Sequence, residues 1–464
     1  MALLLAPLAL AVALQQRPDS ASSAPLVIDG GTVVDLSRQG TSTADVRDAV
    51  VVVEGGKITA VGRRGAVRVP AGARTIDARG GYIVPGYIDG FAAQASQAFA
   101  NAYLYMGVTS IVAPTPPRPG AVPPGSADPR RAPTFDRADP SPRLFYVDVV
   151  LGAVRDSGAP PRPMSEAEAR AAVDRLASEG VKIALLHYRL RPGPLAAAAA
   201  RARELGLATY GELGFTPYYA AQDAGVDVFL HASRYALELA PAEMREAVAR
   251  APFGPPRLEY YRYLTSLSPD DSVVARHAAR LGAGRTMLMP TLSLMYLTLP
   301  GHDNPWREPA ARLLSPNDIH LPADPQTGVQ AAPADSARDL MPAELGRSVL
   351  AFEERYRRAG ARYLAGSATS AFGTMPGISL HTELALLVRV GLTPRQALAA
   401  ATSNFSELAP WRTLGRVAPG YEADLLVLDA DPTADIANAR RVRAVILRGR
   451  PVDRAALLTA AAGK

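Results

Sequence analysis

The sequence predicts an α/β protein: a parallel sheet covered by helices, inserted between the two halves of a smaller β unit. Three observations carry this. Both ends of the chain hold short β-branched runs broken by glycine turns. The middle alternates short apolar strands with Ala-, Arg- and Glu-rich helical stretches. At 464 residues there is room for a large core and two or three domains.

At the N-terminal end the apolar runs are Leu26–Ile28, Thr32–Val34, Val50–Val53 and Ile58–Val61, with turns at Gly30-Gly31 and Glu54-Gly55-Gly56-Lys57. The C-terminal end repeats the pattern in Ala423–Leu428 and Val442–Arg450. Neither set buries its apolar face alone, so one unit built from both ends is expected, a composite β-sandwich over 25–84 and 414–464. Between Pro85 and about Trp411 the βα alternation is clear: Met164–Glu179 before Val181–His187, Leu195–Leu205 before Ala208–Tyr210, and Tyr218–Ala224 before Val226–His231. Two stretches interrupt it, Pro114–Pro142 and Leu299–Pro342, which read as long loops over one end of the sheet.

Composition narrows the function classes. Apolar residues make up 48% and charged residues 20%, an ordinary globular balance. The net charge of +6 comes almost wholly from arginine, because Lys57, Lys182 and Lys464 are the only lysines. No dense basic run with interleaved aromatics occurs, which argues against nucleic acid as a partner. With no cysteine there are no disulfides, thiolate metal sites or cysteine nucleophile. The apolar run Leu3–Leu14, followed by Gln15-Gln16-Arg17, is too short to span a membrane and fits a signal-peptide core, with Ala11-Val12-Ala13 as a cleavage motif. Residues 1–24 are therefore expected to be a signal peptide or disordered leader, and the mature chain to be periplasmic or secreted, without a membrane span.

The run Ile83-Val84-Pro85-Gly86-Tyr87-Ile88-Asp89-Gly90-Phe91-Ala92-Ala93 organises the middle of the chain. It resembles the first-strand motif P-G-[LY]-I-D-x-H-x-H of the metal-dependent amidohydrolase superfamily. Other stretches resemble the same family in the same order: "NAYLYMGVTSI", "PRPMSEAEARAAVDRLASEGVKIALL", "DAGVDVFLHAS", "MLMPTLSL" and "LAGSATSAFGTMPGISLHTELALL". So do "LVIDGGTVVD" and "VVVEGGKITAVG" at one end, and "LGRVAPGYEADLLVLDADP" at the other. The resemblance is strongest to the imidazolonepropionase-like and prolidase-like branches. It implies a (β/α)8 TIM-like barrel over 85–413, set into the composite sandwich. It also implies zinc or another divalent metal, held by two first-strand histidines, a carboxylated lysine and two further histidines, with an aspartate to shuttle the proton of a bound water.

Matched residue by residue, the two first-strand histidines correspond to Phe91 and Ala93, the lysine to Leu185, the third histidine to Gly211 and the aspartate to Ala368. The fourth histidine is present as His231. A shift in alignment cannot restore the first pair, because no histidine precedes His187. The expectation is an exported amidohydrolase-family protein with a degenerate metal site and no resident cofactor. Such a pseudoenzyme would bind a small molecule in a pocket of Phe91, Ala93, Leu185, His187, Gly211, His231 and Ala368, or would act as a homodimer or as the partner of an active paralogue. The alternative is a hydrolase of non-peptide C–N bonds in amides or lactams, with a relocated site built from His187, Glu212 and His231.

Each remaining polar residue also has a structural reading. His231 can be a hydrogen-bonded remnant, Lys182 a solvated residue, and His381 a capping or packing group. Glu212 is expected to turn into the helix layer and form a salt bridge. His277, His302 and His320 read as surface residues. Ser367, Thr369 and Ser370 follow the last strand, but no nucleophile elbow or Ser-His-acid order accompanies them.

Overall fold

The computed structural model describes residues 24–115, 140–154, 162–251, 254–330 and 343–459. The leader, all but the ends of the Pro114–Pro142 stretch, and 331–342 fall outside the described residues.

The β-rich ends form one sheet. Its strand order runs Arg450–Val452, Val442–Leu447, Leu425–Leu428, Tyr82–Pro85, Leu26–Val33, Val46–Glu54 and Lys57–Arg63, with Arg74–Asp77 also paired to Leu26–Val33. The two chain ends meet where Tyr82–Pro85 runs antiparallel to Leu425–Leu428, with Pro85 opposite Leu425 and Ile83 opposite Val427. Ile28, Val51, Ile83, Leu425, Val427 and Ile446 bury their side chains in one core, which neither end could complete alone. Gly55 and Gly56, both at positive φ, turn the Val46–Glu54/Lys57–Arg63 hairpin. That hairpin folds back on the C-terminal segment: Ile58 N–H donates to Tyr421 O and Ala423 N–H to Gly56 O. The strand pairing joins both ends of the chain in one continuous sheet of eight strands.

The middle of the chain forms a curled parallel sheet of eight strands in sequence order: Tyr87–Asp89, Val108–Pro114, Arg143–Val150, Ile183–Leu186, Ala208–Gly211, Val228–Leu230, Met287–Met289 and Arg362–Tyr363. Its first and last strands meet through Gly90 N–H to Ala365 O (3.0 Å) and Ala368 N–H to Phe91 O (2.7 Å). Alternation along the strands separates two cores. Leu185, Tyr210, Leu230 and Met289 point inward, toward a floor made by Phe405, Leu408, Trp411 and Leu414. Ala184, Leu186, Phe229 and Leu288 point outward, under the helices.

Local signals explain the helices. Glu166–Ser178 begins at a reciprocal capping box between Ser165 and Glu168, and Gln97–Tyr105 begins at Ser96, which accepts from Phe99 N–H. Arg143, at the start of the third barrel strand, joins barrel to terminal sheet by donating to Asp424 (2.5 Å) and Glu422 (2.9 Å). The described part of the Leu299–Pro342 stretch is more ordered than a long loop. It folds into three short 3-10 helices, Pro305–Arg307, Pro309–Leu313 and Pro316–Asp318, because proline at the first turn presets φ in each. Among the described residues, no helix is long and apolar enough to cross a membrane.

Leu425→Ala should destabilise the protein by about 2–5 kcal/mol, read from urea unfolding. Hydrogen exchange should speed up together in Tyr82–Pro85 and Leu425–Leu428. A change confined to one segment would show that the two ends fold independently.

Candidate functional site

The strand ends place the site. Leu185 faces the barrel interior, as expected. Tyr210 also faces inward, so two-residue periodicity puts Glu212 on the inner face and Gly211 on the outer one. A Cβ on Gly211 would lie 3.1 Å from Leu213 and 3.3 Å from Val226, both in the outer core. This corrects two expectations: Gly211 does not line the barrel interior, and Glu212 does not turn into the helix layer. Glu212 is half-buried and forms no ion pair among the described residues; its charge bears on Tyr188 and Tyr235.

His231 is buried at the end of Val228–Leu230, and its N–H donates to Met289 O. Its Nδ1 pairs with Thr291 Oγ1, whose own proton goes to Pro290 O at 2.7 Å. The Thr291 oxygen therefore accepts from Nδ1–H, and Nε2 of the neutral ring is left as an acceptor. Burial, reinforced by the positive charges of Arg234 and Arg257, holds His231 well below the usual histidine range. Phe91, at the first ligand position, meets His231 edge-on, with ring centroids 5.8 Å apart. Ala93 is half-buried beside it in sequence, and its carbonyl accepts from Tyr103 OH at 2.9 Å. His231, Thr291 and Ala368 each take positive φ at the ends of the last three strands. Non-glycine residues rarely adopt this conformation outside constrained sites.

His187 is half-buried against Tyr188, with ring centroids 3.7 Å apart, and its Nδ1 accepts from Arg189 N–H. Burial first, then the Arg189 charge, lowers its pKa to about 4, so the ring is neutral at physiological pH. Among the described residues, no three His, Asp or Glu side chains lie close enough to share a metal ion. His187, Glu212 and His231 are thus not gathered into one ligand set.

The sequence reading missed two arginines. Arg234 follows His231 by three residues, and Arg257 lies on the helix Pro255–Ser266; both are buried. The Arg257 guanidinium lies 4.1 Å from the Tyr235 ring centroid and donates from Nε to Tyr261 OH at 2.7 Å. Arg234 approaches the same Tyr235 ring at 5.0 Å. The signal for Arg234 and Tyr235 was their position directly after a strand end, where barrel sites are built. Arg257 had no such marker.

Asp89, also missed, is fully buried; it accepts from Ser367 N–H (2.7 Å) and Ser367 Oγ–H (2.6 Å). Burial outweighs these bonds and raises its pKa to about 7. Ser293 donates its Oγ–H to Ser367 O and its N–H to Glu383, a second buried carboxyl raised by burial to about 8. Ser367 and Thr369 therefore belong to a buried hydrogen-bond network.

The other assignments divide. Lys182 is exposed. His381 is a packing group as expected: its Nε2 meets Met106 O at 2.9 Å and its ring packs edge-on to Tyr87. His302 is half-exposed and His320 exposed. His277 is not a surface residue. It is buried between helices, with Nδ1 2.5 Å from Glu238 Oε1, because its helix turns that face toward Tyr218 and Tyr356.

The curled parallel sheet, with polar groups gathered at its strand ends, defines a barrel-type α/β protein of the kind that hosts many enzymes. Residues 312–452 match the amidohydrolase family, so the chain carries an amidohydrolase family domain. An imidazolonepropionase from Deinococcus deserti (strain DSM 17065 / CIP 109153 / LMG 22923 / VCD115) is a homologue, 36% identical over 123 residues. That match covers 25% of this chain and spans only 30% of the relative's length. Bottromycin amidohydrolase superposes with a TM-score of 0.61 at 19% identity, covering 94% of this chain and 90% of its own. A Xaa-Pro dipeptidase with methionine bound in its active site superposes at 0.56 with 14% identity, covering 92% of this chain and 100% of its own. At these identities the structural likeness establishes the fold.

Asp89→Asn tests the buried carboxyl. A carboxyl whose pKa rises from 3.8 unfolded to about 7 folded contributes stability that is full below pH 4 and is lost as pH climbs through 7. The parent protein should lose stability between about pH 4 and 7 in urea unfolding, and Asp89→Asn should lose less across that window. Parallel profiles would show that Asp89 stays ionised in the fold.

Proposed function

We propose that this chain is a small-molecule binding protein on the amidohydrolase fold, with a degenerate metal site and a ligand that carries a carboxylate. One observation supports the reading above the others. The positions that the family resemblance gives to metal and proton-transfer groups hold Phe91, Ala93, Leu185, Gly211 and Ala368, while two buried guanidinium groups bear on His231.

A catalytic zinc takes about three protein nitrogen, oxygen or sulfur ligands and keeps one open position. The five side chains offer none of these atoms, and His231 alone does not make a set. The donor set at these positions therefore does not fit a divalent metal. Arginine suits the proposed ligand, because its planar fork pairs with both oxygens of a carboxylate. Arg234 follows the strand end at His231 and Arg257 shares its Tyr235 contact, so stacking on Tyr235 restrains both of them.

Purified protein is expected to hold zinc, manganese, nickel and iron well below one per chain, and a chelator should leave its Tm unchanged. Stoichiometric metal with chelator-sensitive hydrolysis of an amide or lactam would favour the hydrolase reading through His187, Glu212 and His231.

For the ligand class, N-acetyl amino acids should raise the Tm while their primary amides do not. Arg257→Lys and Arg234→Gln should each weaken acid binding by about tenfold to a hundredfold, the range for losing a charge-assisted hydrogen bond. Equal stabilisation by acids and amides would sink the carboxylate assignment.

A further inference from the structure

A second polar cluster lies in the helix layer, away from the strand-end site. Tyr218 begins the helix Tyr218–Asp223, Tyr260 lies on Pro255–Ser266, His277 on Ser272–Ala283 and Tyr356 on Ala343–Arg358. All four are buried. The His277 ring meets Tyr218 at 5.5 Å and Tyr356 at 5.4 Å, both edge-on. The charge of Tyr260 would bear on both Tyr218 and Tyr356, so the three rings share one neighbourhood.

Glu238 anchors the cluster. Its Oε2 accepts from Tyr218 N–H at 2.6 Å, and its Oε1 lies 2.5 Å from His277 Nδ1. Nδ1–H therefore donates to the carboxylate, and Nε2 of the neutral ring is an acceptor. Among the described residues, that Nε2 has no hydrogen-bond partner; nor do the hydroxyls of Tyr218, Tyr260 and Tyr356, or Glu353 Oε1 one helical turn before Tyr356. Folded proteins almost always satisfy such atoms, with water where protein groups do not reach. One unmet atom could be chance, but five in one neighbourhood on four helices, three of them on rings in direct contact, describe a site.

We propose that this cluster is a built hydration site, in which ordered water joins the three tyrosine hydroxyls, His277 Nε2 and Glu353. A buried water makes about three hydrogen bonds, so about two waters serve all five atoms. A cleft lined by Thr216, Tyr218, Leu237, Glu238 and Arg245 reaches the cluster from the surface. Ser233, two residues past His231, lies against Glu353, so the water backs the loop that carries His231, Arg234 and Tyr235. The proposal stands independently of what the strand-end site binds.

Two measurements decide it. Tyr260→Phe and Tyr356→Phe should each raise the unfolding constant by about five- to tenfold, because each removes a hydroxyl that water satisfies. An unchanged or lower constant overturns the proposal, since deleting an unsolvated hydroxyl relieves the fold. A high-resolution crystal structure of the full chain should show water within hydrogen-bond distance of at least three of the five atoms. Empty density, or direct Tyr–His hydrogen bonds closing the space, overturns it whatever the variants do.

Discussion

A buried carboxyl, Asp89, helps to join the two edges of the barrel. The first and last strands of the curled sheet, Tyr87–Asp89 and Arg362–Tyr363, are short, so a backbone ladder between them has little length in which to form. Asp89 supplies what the ladder lacks, accepting from both the amide and the hydroxyl of Ser367 just past the last strand. The neighbouring backbone bonds Gly90–Ala365 and Ala368–Phe91 then align. An ionised carboxylate without solvent would be costly here, and the protein meets that cost with a raised pKa and two donors.

Once the edges are joined, the mouth of the barrel is set. Ala368 follows Ser367 directly, and its backbone is held at positive φ together with those of Thr291 and His231. These strand ends keep the constrained backbone of a working site, while several side chains they present are apolar. Phe91 rests against His231 where the family resemblance implies a metal ligand. The polar character of the mouth moves sideways, to Arg234, Arg257 and the tyrosines that hold them.

Buried acidity recurs beyond Asp89. Glu383 and Glu353 are also fully buried and raised by burial, and each is placed by hydroxyls or amides from a different part of the chain. Glu353 ties its helix to the last barrel strand through Tyr363, 10 residues on. The other two partners are remote in sequence: 278 residues for Asp89 and Ser367, and 90 for Glu383 and Ser293.

What the sequence determined by itself is periodic or local. The β-branched runs at both ends and the βα repeats each report a short-range preference, and the structure keeps them. The residues that the family resemblance sets at ligand positions, Phe91, Ala93, Leu185, Gly211 and Ala368, were equally legible, because that comparison needs only residue identity. Facing was not. Gly211 and Glu212 exchange roles because strand parity is set by where the ladder starts, and a shift of one residue inverts every side chain. His277 looked like a surface histidine until its ring was packed against Tyr218 and Tyr356. The single sheet made by the two ends, the Asp89–Ser367 tie and the arginines at Tyr235 were decided by tertiary structure alone. Each joins groups that are remote in the chain, and no local pattern of polarity records who will stand opposite whom once the barrel closes.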